Sequence, residues 1–197
     1  MIQIFRPKEH GRCSSPLGRQ GGVVGIFGGS FNPIHNGHIK LAQQLKKRAN
    51  LDEVWLMVSP QNPLKQSQDL LDDEDRMEMV REAVKDEPGI VACDYEMYLP
   101  KPSYTWNTLE ALSRDFPDRE FVLMIGGDNW ELFDKWYRAD DIKKNYEIVV
   151  YTRTPGDEGV IDISSTDIRR RIREGRGIKR LVPKAVAELI KEKGYYA

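Results

Sequence analysis

In the stretch "GIFGGSFNPIHNGHIKLA", Gly25 to Ala42, two histidines, His35 and His38, stand three positions apart where a strand pattern turns into a helix pattern. Across a helix start that spacing lets both imidazoles face one ligand, and Gly37 between them keeps the approach open. Gly28 and Gly29 allow a ligand close to the backbone, while the unpaired N–H groups and positive dipole end of the following helix favour an anion such as phosphate. Glycines alone say little, since any tight strand-to-helix turn uses them. The histidines give the junction its chemistry. Two other chemistries compete with anion binding. A zinc site needs about three or four protein ligands, and His10 is the one further histidine in the chain. Acid-base catalysis is the other, but no serine or cysteine nucleophile sits in a matching elbow motif. Anion stabilisation fits best.

The elements that must carry this junction alternate along the chain. "VVGIFGG" (Val23 to Gly29), "EVWLMVS" (Glu53 to Ser59), "EFVLMIG" (Glu120 to Gly126) and "YEIVVYT" (Tyr146 to Thr152) are short, nearly continuous apolar runs, as strands buried on both faces should be. "GIVACDY" (Gly89 to Tyr95) reads as a weaker strand. Helical patterns lie between them: "GHIKLAQQLKKRAN" turns Ile39, Leu41, Ala42 and Leu45 inward, "DDEDRMEMVREAVKDEPG" opens on acids and stops at Pro88 and Gly89, and "SYTWNTLEALSRDFPD" closes at Pro117. Strands alternating with helices imply right-handed βαβ crossovers and a parallel sheet. The expected fold is α/β, a Rossmann-like doubly wound α/β/α sandwich, with a C-terminal segment of two helices separated by Gly175 to Pro183. In such a sheet ligands sit beyond the carboxyl ends of the strands, where the histidine junction lies.

The chain of 197 residues suits one such domain, here residues 23–197, and no linker divides it. Its first 22 residues, "MIQIFRPKEHGRCSSPLGRQGG", carry four arginines or lysines against one glutamate, with glycine and proline breakers. They read as a dispensable extension and not as a secretory signal. No stretch approaches the ~20 apolar residues of a membrane span, so no membrane partner is expected. Cys13 and Cys93 have neither metal spacing nor the density of a secreted disulfide scaffold, which points to a reducing cytoplasm. A formal net charge of -1 gives no global field for nucleic acid.

The junction segment "GGSFNPIHNGH" resembles the signature of the HxGH nucleotidyltransferases, and "ISSTDIRRRI" resembles the ISSTxIR segment of the same superfamily. That resemblance implies a reaction that moves a nucleotidyl group from a nucleoside triphosphate and releases pyrophosphate. It assigns Gly28, Gly29, Ser30 and Phe31 to ATP, and His35 and His38 to its phosphates. In the second segment Ser164, Ser165 and Thr166 supply hydroxyls and a helix cap for the triphosphate, and Arg169 stands one turn on, pointing back to the same end. Arg170, Arg171 and Arg173 read as a solvated basic face.

The likeness runs across nearly the whole chain after Val23, and it resembles the bacterial nicotinate mononucleotide adenylyltransferases in particular. "SPQNPLKQ" is similar to their proline-bounded lysine loop and "DRMEMV" to their R-x-x-M helix; "PSYTWNTLEAL", "IGGDNWELFDKWYR" and "VVYTRTPG" follow in the family's order. The resemblance implies ATP and nicotinate mononucleotide as substrates. It also implies Lys65 as a further phosphate-side cation, Gly127 and Asp128 on the adenosine side, and Trp136, Tyr137, Thr105 and Thr108 around the mononucleotide. Trp136 matches the family's stacking aromatic; packing inward from an amphipathic helix is the plain alternative. Mg²⁺ is implied as a cofactor held by phosphates and water, since no carboxylate cage is evident. Leu64 departs from the histidine that many members carry before the lysine, and Trp106 stands at a variable position.

The related pantetheine-phosphate enzymes are shorter and lack the "DKWYR" and "SYTWNT" arrangement. Class I aminoacyl-tRNA synthetases share the HxGH logic but need a far longer chain. Binding of nucleic acid through "IRRRIREGRGIKR" is the alternative from another class, and that run is short and carries no interleaved aromatics. Whether the chain forms a homo-oligomer is left open by the sequence.

Overall fold

The computed structural model describes residues 21–60, 70–151 and 163–197. Five strands, β1 (Gly22–Gly29), β2 (Glu53–Val58), β3 (Ile90–Cys93), β4 (Arg119–Gly126) and β5 (Glu147–Tyr151), form one all-parallel sheet in the order β3-β2-β1-β4-β5. The chain winds outward from β1 in both directions, so β1 and β4 flank the point where strand order reverses. Crevices for ligands open at such a point.

Alternation along each strand feeds two cores. Val54, Leu56 and Val58 face the layer built by α1 (Asn36–Arg48), α2 (Asp73–Val84), α6 (Ser165–Arg173) and α7 (Lys184–Lys193). Trp55 and Met57 face the layer of α3 (Thr105–Asp115) and α5 (Ala139–Asn145). Both faces of the sheet are thus covered, which is why its strands read as continuous apolar runs. The expected three-layer α/β/α sandwich is the fold observed, and α6 and α7 form the expected C-terminal helices.

The helices begin and end on local signals. Asp73, Glu74 and Asp75 occupy the first turn of α2, and Lys46, Lys47 and Arg48 the last turn of α1, each sign matched to its end of the helix dipole. α7 stops at Gly194, whose φ of 67° is a left-handed conformation that costs glycine nothing. On α1, Ile39, Ala42 and Leu45 are buried and Leu41 packs at the margin of the same core. Two short helices, α4 (Gly127–Trp130) and α5, and 3-10 turns at Tyr95–Tyr98 and Phe133–Lys135 had no sequence-based expectation. Cys93 is buried and is not a free thiol, and Cys13 lies outside the described residues, so the cysteines lend no support to a reducing compartment. Among the described residues no helix is long and apolar enough to cross a membrane.

Candidate active site

The chain leaves β1 at Gly29 and enters α1 after His35, and this turn is tightly packed. A Cβ on Gly29 would lie 2.9 Å from the Phe31 ring, whereas one on Gly28 would meet nothing within 4 Å. Gly29 therefore makes room for Phe31, and Gly28 and Ser30 face outward. Phe31 holds a left-handed φ of 45°, costly for a side chain of that size, and its buried ring meets His38 edge-on at 5.1 Å. The turn is over-determined by packing.

His35 is the N-cap of α1. Its Nδ1 accepts from the His38 backbone N–H at 3.3 Å, and His38 Nδ1 accepts from the His35 N–H at 3.3 Å. This is a capping box built from two imidazoles, which also stack at a centroid distance of 3.6 Å. An Nδ1 that accepts from a backbone N–H puts the proton of the neutral ring on Nε2. Both histidines thus present Nε2–H as a donor, and His35 does so from a buried ring.

The second segment is drawn onto the same turn. Ser164 caps α6 by accepting from the Asp167 N–H at 3.1 Å. Ser165 Oγ donates to the Pro33 carbonyl at 2.9 Å, and Arg169 Nη1 donates to the Asn32 carbonyl at 2.7 Å. Arg169 Nη2 reaches Thr166 Oγ1 at 3.4 Å, while its Nε is buried with no partner among the described residues. Two helix N-termini, two imidazoles and one guanidinium therefore converge beside the C-terminal end of β1. Such a donor set suits an extended polyphosphate. Arg170 and Arg171 instead both pair with Asp167 on the outer face of α6.

Across the switch point, Gly126 ends β4 and Gly127 opens α4. The exposed Asp128 folds back over this corner, so that a Cβ on Gly126 would sit 2.6 Å from its Oδ1. The glycine pair and the carboxylate form one turn next to the crevice. Lys65 lies outside the described residues.

A third group gathers on the α3 side. Tyr137 and Tyr104 are exposed and meet at 5.0 Å between ring centroids. Trp136 is half-buried against Phe133 at 5.1 Å, and its Nε1, like Ser103 Oγ, is buried without a partner among the described residues. Thr105 begins α3 and is half-buried. Thr108 is turned inward: its hydroxyl donates to Glu96 Oε1 at 2.9 Å. Trp106 packs in the core beneath the Arg138 guanidinium at 4.2 Å.

Two buried charged residues hold these loops, and neither stood out as a site residue in the sequence. Arg76, fully buried on α2, uses all five of its N–H donors. Nε donates to the Leu71 carbonyl at 3.0 Å, and Nη1 to those of Ser30 at 2.6 Å and Ser59 at 3.0 Å. Nη2 serves the Pro60 carbonyl at 3.5 Å and the Asp73 carboxylate at 2.6 Å. It ties the loop after β1 to the loop after β2. Burial lowers its pKa and Asp73 opposes that shift. Glu96 accepts from Ser59 Oγ at 2.6 Å as well as from Thr108, and its burial raises the carboxyl pKa against those two hydrogen bonds. The R-x-x-M resemblance marked Arg76 without giving it a task.

Residues 26–171 match the family model described as Cytidylyltransferase-like. The chain belongs to that family. A Bacteroides fragilis protein named "Probable nicotinate-nucleotide adenylyltransferase" is 42% identical over 182 residues, covering 85% of this chain and 90% of the relative. The Cytophaga hutchinsonii protein of the same name is 40% identical over 188 residues, covering 88% of this chain and 98% of the relative. A solved structure described as a "Putative Nicotinate-nucleotide Adenylyltransferase" from Vibrio parahaemolyticus superposes with a TM-score of 0.71 at 28% identity, covering 86% of this chain and 98% of that one. A Plasmodium falciparum nicotinic acid mononucleotide adenylyltransferase complexed with NaAD shares the fold, with a TM-score of 0.69 at 16% identity and coverage of 88% and 97%.

Proposed function

We propose that this chain transfers the adenylyl group of ATP to nicotinate mononucleotide, giving nicotinate adenine dinucleotide and pyrophosphate, a step of NAD biosynthesis. The observation that carries the reading is the Arg169–Asn32 hydrogen bond of 2.7 Å, which joins the "ISSTDIR" helix start to the histidine turn as a single phosphate cradle. The names of the relatives supply the acceptor.

In this reaction a 5'-phosphate oxygen of the mononucleotide attacks the α-phosphorus of ATP. A new P–O bond forms as the bond from the α-phosphorus to the bridging oxygen of the β-phosphate breaks, and pyrophosphate leaves with the electron pair. No covalent enzyme intermediate is required, so catalysis reduces to positioning and to neutralising the charge that shifts onto the leaving group. The Nε2–H donors of His35 and His38, the N-terminus of α6 with Ser164, Ser165 and Thr166, and the Arg169 guanidinium supply that neutralisation. Lys65 adds a further cation. Gly28, Gly29, Ser30 and Phe31 form the backbone wall for ATP, with Gly127 and Asp128 on the adenosine side. Trp136, Tyr137 and Thr105 surround the mononucleotide, and the inward-facing Thr108 supports them by tying α3 to Glu96.

The donors of the cradle are N–H, hydroxyl and guanidinium groups, which suit phosphate oxygens; Mg²⁺ would come in with the phosphates and water and would supply further neutralisation of their charge. A need for ATP supports a cytoplasmic setting for the proposed reaction. Pyrophosphate release from ATP, nicotinate mononucleotide and Mg²⁺ tests the proposal, with nicotinamide mononucleotide compared side by side by kcat/KM. Absence of turnover, together with nucleic-acid binding that weakens steeply with salt, would reverse it.

A further inference from the structure

The last aromatic pair of the chain packs against the active-site turn, and the sequence reading gave it no role. After α7 ends at Gly194, Tyr195 Oη donates to Asp75 Oδ1 at 2.6 Å, latching the segment to the first turn of α2. Tyr196 then folds inward with a left-handed φ of 65°, a conformation that a side chain of that size adopts only when its surroundings hold it there. Its ring is buried in the core shared by α1, α2, α6 and α7. Its hydroxyl donates to Asn32 Oδ1 at 2.7 Å, across 164 positions of sequence.

Asn32 is where the two phosphate-binding segments meet. The same buried residue accepts from the Leu71 N–H on Oδ1 at 3.3 Å and from Arg169 Nη1 on its backbone carbonyl at 2.7 Å, and it stands three positions before His35. A side-chain amide can rotate, and Oδ1 faces Leu71 only while the amide is held in that sense. The buried Tyr196 hydroxyl, donating to the same oxygen at the shorter distance, favours that sense. The Tyr196 hydroxyl also feels both active-site guanidiniums, Arg169 and Arg76, which oppose the upward shift that burial gives its pKa.

We propose that Tyr196 is a positioning residue for adenylyl transfer, holding Asn32 so that its carbonyl fixes Arg169 and its backbone delivers His35 to the triphosphate. This rests on the function proposed above. Tyr196 touches no reacting atom on this account; it acts through the turn. A small displacement of such a turn weakens transition-state contacts more than ground-state binding of the second substrate.

Tyr196→Phe removes one hydroxyl and keeps the buried ring. Relative to the unaltered chain, the variant should show kcat lowered about fivefold to tenfold, the scale of one net hydrogen bond, with the KM for nicotinate mononucleotide unchanged. A purely structural role would instead lower the melting temperature and leave kcat at 25 °C intact, and that result overturns the proposal. A second readout does not depend on turnover. Amide hydrogen exchange should accelerate about tenfold at residues 31–39 while that of β2 stays as it was. Uniform acceleration, or none, overturns the proposal whether or not the chain proves active. If the unaltered chain fails to turn over, the functional reading falls, and exchange alone decides whether Tyr196 holds the turn.

Discussion

His35 and His38 each accept, through Nδ1, the backbone N–H of the other at 3.3 Å, so each imidazole is both a cap and a candidate phosphate ligand. The two duties separate by substitution. His38→Ala removes one half of the box and costs about 1 kcal/mol of stability, the usual value of a lost cap. Turnover should fall by ~10² or more, because a fixed donor to developing charge is lost as well. His38→Gln restores an acceptor at the third helical position and should recover the stability without the turnover. Equal recovery of both, measured by denaturant unfolding beside steady-state kinetics, would show that the histidines serve only as caps.

Arg76 spans the loops that follow β1 and β2 with four carbonyls and one carboxylate around a single guanidinium. An ammonium has three donors at one point and cannot reproduce that fork. Arg76→Lys should therefore lose about 2–4 kcal/mol of unfolding free energy, since carbonyls out of reach stay buried and unpaired. The check is the urea midpoint at unchanged slope. A shift below about 0.5 kcal/mol would mean that water replaces the lost donors.

Much of this arrangement was legible in the sequence, for identifiable reasons. Strands buried on both faces leave uninterrupted apolar runs, so β1, β2 and β4 could be placed within a residue of their ends. The histidine turn was visible because two histidines and a glycine pair crowd a helix start, and the "ISSTDIR" cap was visible through its resemblance to the nucleotidyltransferase segment. α5 was not, because Ala139 and Ile142 are its buried residues and a helix that short shows no period. Arg76 and Tyr196 escaped for another reason. Their partners are backbone carbonyls and one amide brought together by tertiary structure, and a carbonyl leaves no mark on the residue type that carries it. Thr108 illustrates the converse: its neighbourhood was legible, but its direction, inward to Glu96, depends on a 3-10 turn that no local pattern announced.

Glu96 supplies a pH dependence with a definite sign. Burial raises its carboxyl pKa above the ordinary glutamate value, so between that value and the folded one the native state holds a proton that the unfolded chain has released. Stability linked to this group is complete below the unfolded pKa and is lost as pH rises through the folded pKa. Glu96→Gln cannot ionise, and the hydroxyls of Ser59 and Thr108 can turn to serve the amide. Subtracting the variant's unfolding free energy from that of the unaltered chain should give a difference that falls as pH rises from 4 to 8. A flat difference across that range would mean that the buried carboxylate ionises without penalty.

Trp136 allows a test that separates the two substrates. It is half-buried against Phe133, beside Tyr137, with Nε1 buried and no partner among the described residues. A tryptophan serving only the core would keep its face against the protein, and its loss would weaken the fold and both substrates together. As the stacking partner of a pyridine ring it contributes ~1–3 kcal/mol to that ring alone. Trp136→Ala should then raise the KM for nicotinate mononucleotide by about tenfold to a hundredfold, with the KM for ATP changed by less than about threefold. Measuring both constants with the other substrate saturating decides between the roles. Parallel increases, accompanied by a lower melting temperature, would assign Trp136 to packing.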